Sequence, residues 1–374
     1  MEVTRSTRSA ILSTLSTSRI RGFDGLRALA FLLVFVSHKA ISPLTDRYGT
    51  AGVWIFFVLS GFLITRILAE ARGKIEAGRG DFISGLSQFY GRRTARIFPV
   101  YYVFLAVVTM LALRDLVEVG GPARQASNWF YLSNVYIELN GWQTQLGHLW
   151  SLAVEEQFYL LFAPLVLAAP LRQLPIACFS ILAVSIAAHG YLFATGAWTV
   201  SFEVGSFVNF GLMGIGGLAG LWAERALPWG LKGDGPLAFT IAFILVMPVL
   251  FRSPESWGHF GRLTCALNAL LLVQIYQLQN GRITALLDLF PIRELGIISY
   301  AAYLFHPVIN LSEIFHHFGS SIEIRRSLSM VLDLTATILL ASMSWRILER
   351  PVRSWLISLF EGAGRLVAGP RKTE

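Results

Sequence analysis

Apolar residues in this chain gather in long, nearly unbroken runs, not in the one-sided stripe of a soluble helix or the alternation of a half-buried strand. Runs of membrane length cover about 24–43, 51–69, 98–113, 148–169, 174–194, 202–222, 236–251, 261–279, 294–314 and 327–347. Roughly 20 apolar residues in a helix are enough to cross a hydrocarbon layer. The pattern predicts an all-α, polytopic integral-membrane bundle of about ten transmembrane helices. The membrane domain is expected over 24–348, between tails at 1–23 and 349–374. No internal repeat or long interdomain linker is visible.

Composition sharpens this reading. The 374 residues are 54% hydrophobic and only 14% charged, whereas soluble domains carry nearer ~25% charge. So few charges could not coat a water-soluble globule of this size. Disorder, collagen-like repeats and a disulfide scaffold are excluded. Cys178 and Cys265 fall inside apolar runs and read as small hydrophobes. The net charge of +8 does not point to nucleic acid, because no Lys/Arg stripe marks a soluble domain. With a cytoplasmic N-terminus, 22 of the 31 basic residues fall on inner segments, seven of them between Arg66 and Arg96. The positive-inside rule then places both termini in the cytoplasm. The run after Arg5, Arg8, Arg19 and Arg21 opens at Asp24 without a small-residue cleavage site, so a retained tail is expected.

The informative residues are the polar ones at membrane depth. In RGFDGLRALAFLLVFVSHKAISP, Arg27 and His38 point within about 20° of each other, and Asp24 within about 40° of His38. One helix face carries all three. In the second run, Ser60-Gly61 reads as a point of close helix packing. In QFYGRRTARIFPVYY, a short interfacial helix could aim Arg92, Arg93 and Arg96 at a phosphate-bearing ligand, or the three could anchor the inner leaflet. In HLWSLAVEEQFY, His148 and Glu155 share a face and Glu156 points about 100° away. Burying two carboxylates is costly unless they are partnered, which makes both functional candidates. In SYAAYLFHP, Ser299, Tyr303 and His306 lie on one face before Pro307. RILERPVR, with Glu349 among Arg346, Arg350 and Arg353, reads as a structural charge cluster at a helix stop. Aromatics and Asn in 114–147 fit either an interfacial belt or a sugar-stacking surface. There is no P-loop, serine elbow or zinc spacing, and no bound metal is expected.

Taken in order, FDGLRALAFLLVFVSH, GVWIFFVLSGFLIT, RRTARIFPVYY, HLWSLAVEEQFY and SYAAYLFHP followed by ERP resemble the integral-membrane acyltransferase family 3, over nearly the whole chain. Its members include bacterial O-antigen and exopolysaccharide acetylases. The resemblance implies a multi-pass protein of the bacterial inner membrane, with acyl-CoA, usually acetyl-CoA, as donor substrate and no permanently bound cofactor. The acceptor would be a hydroxyl of a sugar in a surface polysaccharide, lipid-linked oligosaccharide or glycosylated small molecule. It marks Arg27 and His38 as essential and Arg92, Arg93 and Arg96 as acyl-CoA contacts. Some members append an extracytoplasmic esterase-like domain; this chain is too short for one, so transfer is expected to finish on the membrane domain or a separate partner.

The mechanism expected on that basis docks the donor phosphates on the cytoplasmic arginines. Arg27 and His38 stand about 16 Å apart along the helix and mark two ends of one channel. His38 acts as general base or carries the acyl group, and Glu155 orients a histidine or binds the acceptor. Asp24, His148, Glu156, Tyr303 and His306 are further substrate-binding candidates. Intramembrane Arg, His and Glu would also suit a flippase of lipid-linked sugars, and a non-catalytic assembly partner is a further alternative.

Overall fold

A computed structural model describes residues 19–40, 45–142, 146–196, 200–250, 254–311 and 322–367. All regular elements among the described residues are helical. The first run forms α1 (Phe23–Ala40), the second α2 (Asp46–Glu76) and the third the end of α3 (Phe82–Ala112). Two short helices follow, α4 (Pro122–Trp129) and α5 (Ser133–Asn140). Then come α6 (Leu149–Ala168), α7 (Leu174–Ala194), the short α8 (Val200–Val204), α9 (Ser206–Trp222), α10 (Asp234–Leu250) and α11 (Pro254–Gln277). After α12 (Arg282–Leu287), the ninth run is broken into α13 (Phe290–Ile297) and α14 (Ser299–Phe305), and its last residues lie outside the described ones. The chain ends on α15 (Ile322–Ser344) and α16 (Arg350–Val367). Most of the expected N-terminal tail, 1–18, and residues 368–374 are likewise outside the described residues.

Five described segments are long and apolar enough to cross a membrane: Arg47–Glu76, Phe82–Ala112, Leu149–Ala168, Leu171–Ala194 and Ser327–Ser358. The sequence runs predict about ten. The difference has physical causes. α9 and α10 have 17 residues each, a rise of about 26 Å against a layer of about 30 Å. α1 carries Asp24, Arg27, His38 and Lys39 within 18 residues.

α2 is the central helix, packed on α1, α6, α9 and α11. Its approach to α9 requires glycine on both sides, since a Cβ at Gly61 would meet the Met213 carbonyl and one at Gly216 the Val58 carbonyl. α7 leaves Ile176, Phe179, Val184 and Ile186 exposed, a surface suited to lipid. Sequence-distant segments gather at two ends of the bundle. At one, Arg21 reaches Asp288 at 3.2 Å, Arg66 reaches Glu224 at 3.4 Å, and Asp234 accepts from the Arg282 and Ile283 amides at 3.0 Å. At the other, Lys39 pairs with Asp333 at 2.9 Å and Arg47 with Glu203 at 3.3 Å.

The arginine triplet corrects one expectation. Arg92, Arg93 and Arg96 sit not on a short interfacial helix but within α3, which has 31 residues and contains Pro99. A capping box starts it, with the Ser84 amide donating to Asp81 Oδ1 at 2.9 Å and the Asp81 amide to Ser84 Oγ at 3.3 Å. Both α2 and α3 rise about 46 Å, longer than the hydrocarbon layer, so their polar turns extend past it.

Candidate active site

The projecting ends of α2 and α3, the start of α1 and one residue of α16 enclose a cleft of about 590 Å³. Its walls carry Arg19, Arg27, Arg66, Lys74, Arg92, Arg93, Arg96 and Arg353, against the acids Asp24 and Glu70. Several of these cations are already committed. Arg27 Nη1 donates to Asp24 Oδ1 at 2.7 Å, and Lys74 pairs with Glu70 at 2.8 Å. Arg66 donates to the Gly220 carbonyl and Tyr276 Oη, both at 3.1 Å. The Arg93 guanidinium lies over the Tyr159 ring at 5.4 Å. Arg92, Arg96 and Arg353 make no ion pair or hydrogen bond among the described residues. Three uncommitted guanidinium groups at one mouth form a ready anion site.

Arg27, Arg93 and Arg96 also line an adjoining inner cavity of about 80 Å³ between α1, α2, α3, α6 and α14. The i, i+4 step on α6 puts Glu155 and Tyr159 on one face. Tyr159 Oη donates to Glu155, and Ser60 Oγ lies 2.6 Å from Tyr159 Oη. This chain of hydroxyls offers the partners that a carboxylate at membrane depth needs. Tyr300 also lines the cavity, with a buried hydroxyl that has no hydrogen-bond partner among the described residues. At the far end Ser151 Oγ and Tyr303 Oη stand 2.7 Å apart and both reach the His148 carbonyl, at 3.2 and 3.1 Å.

Beyond that hydroxyl pair three histidines meet. His38 Nδ1 is 2.8 Å from His306 Nε2, with the rings stacked at 5.1 Å and 11°. The His148 ring lies 5.6 Å from that of His306. His306 is fully buried at 0% exposure, His148 is buried and His38 is exposed. Phe31 and Phe35 fill the α1 stripe between Arg27 and His38 and pack on His306 at 6.0 and 6.3 Å. The trio is not built for a metal: His148 Nε2 faces the Leu304 carbonyl at 3.2 Å and His306 Nδ1 the Tyr303 carbonyl at 2.7 Å. No metal-holding group of His, Cys, Asp or Glu occurs among the described residues.

The sequence candidates therefore divide between two ends. Asp24, Arg27, Arg92, Arg93 and Arg96 join at the cleft, and His38, His148, Tyr303 and His306 join at the opposite end. Of the two roles expected for Glu155, the geometry does not place it on a histidine: it is bound by Tyr159 and shares the cavity with the arginines. Glu156 is not among the residues that line the cavity. Several cavity or cleft residues are not marked by the sequence pattern: Ser60 reads as packing, Arg353 as part of a helix stop, and Ser151, Tyr159 and Tyr300 carry no signal of their own except that Tyr159 stands four residues after Glu155. The expected helix stop before Pro351 does not occur, since helix continues from Ser327 to Ser358; Glu349 is buried there with Ser344 Oγ donating to it at 3.0 Å, which suits a structural role.

A helical membrane protein with an arginine-lined mouth, an inner cavity that carries a few polar groups and a histidine cluster at its far end is the class defined by this architecture. The chain belongs to the Acyltransferase domain family, whose sequence profile matches residues 20–344. Among similar proteins, the peptidoglycan O-acetyltransferase OatA of Listeria monocytogenes is 30% identical over 375 residues, covering 93% of this chain and 58% of that protein. The O-acetyltransferase OatA of Staphylococcus aureus is 29% identical over 362 residues, covering 89% and 57%. YrhL of Bacillus subtilis is 32% identical over 363 residues, covering 90% and 55%. The chain thus spans little more than half the length of these relatives. No solved structure matches it.

Proposed function

We propose that the chain is a membrane O-acetyltransferase that takes an acetyl group from acyl-CoA and passes it to a hydroxyl of an envelope sugar. Membership of the acyltransferase family and the O-acetyltransferases among its relatives support the reaction class. The observation that carries the reading is the path. Arg27, Arg93 and Arg96 belong to both the basic cleft and the inner cavity, whose other end is closed by Ser151 and Tyr303 beneath the histidines. A donor held by its phosphates at Arg92, Arg96 and Arg353 would lay its pantetheine arm past Arg27 toward that hydroxyl pair. The donor is acetyl-CoA on this reading, and the acceptor a glycan related to the peptidoglycan named for the Listeria relative.

About ten passes, with both termini and the cleft on the cytoplasmic side of the inner membrane, fit the gathering of Lys/Arg-rich segments at the cleft end. His38 is the general base. Its ring nitrogen takes the acceptor hydroxyl proton as the oxygen attacks the thioester carbonyl; the carbon–sulfur bond breaks, the acetyl ester forms, and the CoA sulfur leaves and takes up a proton. Tyr303 and Ser151 close that end of the cavity, and either hydroxyl can bond the thioester carbonyl oxygen only by turning its proton away from the His148 carbonyl, to which both donate. The test is transfer from labelled acetyl-CoA to a glycan acceptor by purified protein in vesicles. Label on the glycan supports the reading. Movement of a lipid-linked sugar across the membrane with no acetylation would replace it with the flippase reading.

A further inference from the structure

The histidine pair fixes more than proximity. His306 Nδ1 stands 2.7 Å from the Tyr303 carbonyl oxygen, which can only accept, so Nδ1 carries a proton. Placing a second proton on Nε2 would leave an imidazolium at a position with 0% exposure. The neutral ring presents Nε2 as an acceptor, and His38 Nδ1, 2.8 Å away, must be the donor. His38 then holds its proton on Nδ1 and its lone pair on Nε2, a nitrogen with no hydrogen bond among the described residues, on an exposed ring. The arrangement is held from both sides. The next residue, Lys39, pairs with Asp333 at 2.9 Å and bonds the Ile309 carbonyl. The His306 ring is wedged by Phe31 and Phe35 at 6.0 and 6.3 Å.

We propose that His306 is a positioning residue that, through the Tyr303 carbonyl, locks His38 in the tautomer whose Nε2 lone pair faces the acceptor hydroxyl. This rests on the acetyltransferase reading for its consequence, but the tautomer itself does not. A histidine held by a neighbour in this way gains orientation and the correct tautomer, and loss of such a partner in a serine-protease triad costs several orders of magnitude in turnover. His306 does not touch substrate; its two ring nitrogens are engaged and its side chain is enclosed.

Two substitutions and one spectrum test this. His306→Leu removes the acceptor and is expected to lower kcat by roughly 10²-fold or more while the KM for acetyl-CoA stays unchanged. His306→Gln, whose amide oxygen can reach the place of Nε2, is expected to recover activity to within about tenfold of the parent. A histidine-selective nitrogen-15 spectrum of the unsubstituted protein is expected to show His38 protonated on Nδ1. His38→Ala identifies its signal among the 7 histidines. In His306→Leu the His38 proton is expected to shift to Nε2 or to exchange between the nitrogens. Wild-type turnover in His306→Leu, equal loss in the Gln and Leu variants, or a proton on His38 Nε2 in the parent would each overturn the proposal. If the spectrum shows the Nδ1 proton but no acetyl is transferred, the acetyltransferase reading fails and the assignment of the His38 tautomer stands.

Discussion

Arg27 and His38 share one face of α1, and the eleven residues between them separate their chemistry as well as their positions. Arg27 belongs with Asp24 at the mouth, His38 with His306 at the far end. Helical periodicity alone exposed that face. It could not expose the partner of His38, which lies 268 residues away, whereas the pairing of Glu155 with Tyr159, four residues on along α6, was within its reach. Replacing His38 with Ala is expected to reduce acetyl transfer by about 10²–10⁴-fold, the range of a lost general base, with unchanged thermal unfolding in detergent. Tyr159→Phe removes the donor to Glu155 and leaves a half-buried carboxylate short of a partner. It is expected to lower stability by about 1–3 kcal/mol, read from the same unfolding curves; an unshifted curve would mean that Glu155 finds another donor.

Among the elements, the apolar runs located the helices well because each run is long and strongly apolar. They hid what lies at the helix ends. Of the basic residues from Arg66 to Arg96, which read as one inner segment, Arg66 and Lys74 stand on α2 and Arg92, Arg93 and Arg96 on α3, and these five converge across the cleft, while Arg72 turns to Glu76 and Arg79 lies in the turn between the helices. Arg353 escaped notice because only the packing of α16 on α3 brings it to the same mouth. Joint replacement of Arg92, Arg96 and Arg353 by Ala is expected to weaken acetyl-CoA binding by at least tenfold, at about 1.5–3 kcal/mol per charged hydrogen bond. Calorimetric titration checks this, and an unchanged affinity would reduce the three to membrane anchors. The α2–α9 contact makes a second demand. Gly61→Leu would force its side chain against the Met213 backbone, and the expected cost is about 1–3 kcal/mol or more, seen as a lower unfolding temperature.

Asp234 links α10 to α12 by capping it, and the Ile283 and Arg282 amides hold its carboxyl below the ordinary value of 3.8. A depressed native value gives stability that is complete above pH 3.8 and fades as pH falls through the lower native value. The unfolding temperatures of the parent and Asp234→Asn are therefore expected to converge on acidification below that point. A gap independent of pH would show that the charge is not what matters.

For the whole molecule, the scarcity of charge correctly placed the chain among helical membrane proteins, and the five described segments of crossing length agree. The broken ninth run, split at Ile298 between α13 and α14, was not legible, since nothing in its apolar pattern marks the bend that brings Tyr303 and His306 over the cavity. The consequence is a molecule with two chemically different ends, an arginine-rich mouth and a histidine cluster, with a narrow and largely apolar cavity carrying a few polar groups between them. The most direct measurement reconstitutes the purified protein in vesicles, supplies acetyl-CoA labelled in the acetyl group, and follows label onto a glycan acceptor in the parent and in His38→Ala. Labelled glycan from the parent and none above background from the variant is the predicted result. Equal labelling by both, or none by either with the protein folded, would contradict transfer at this site.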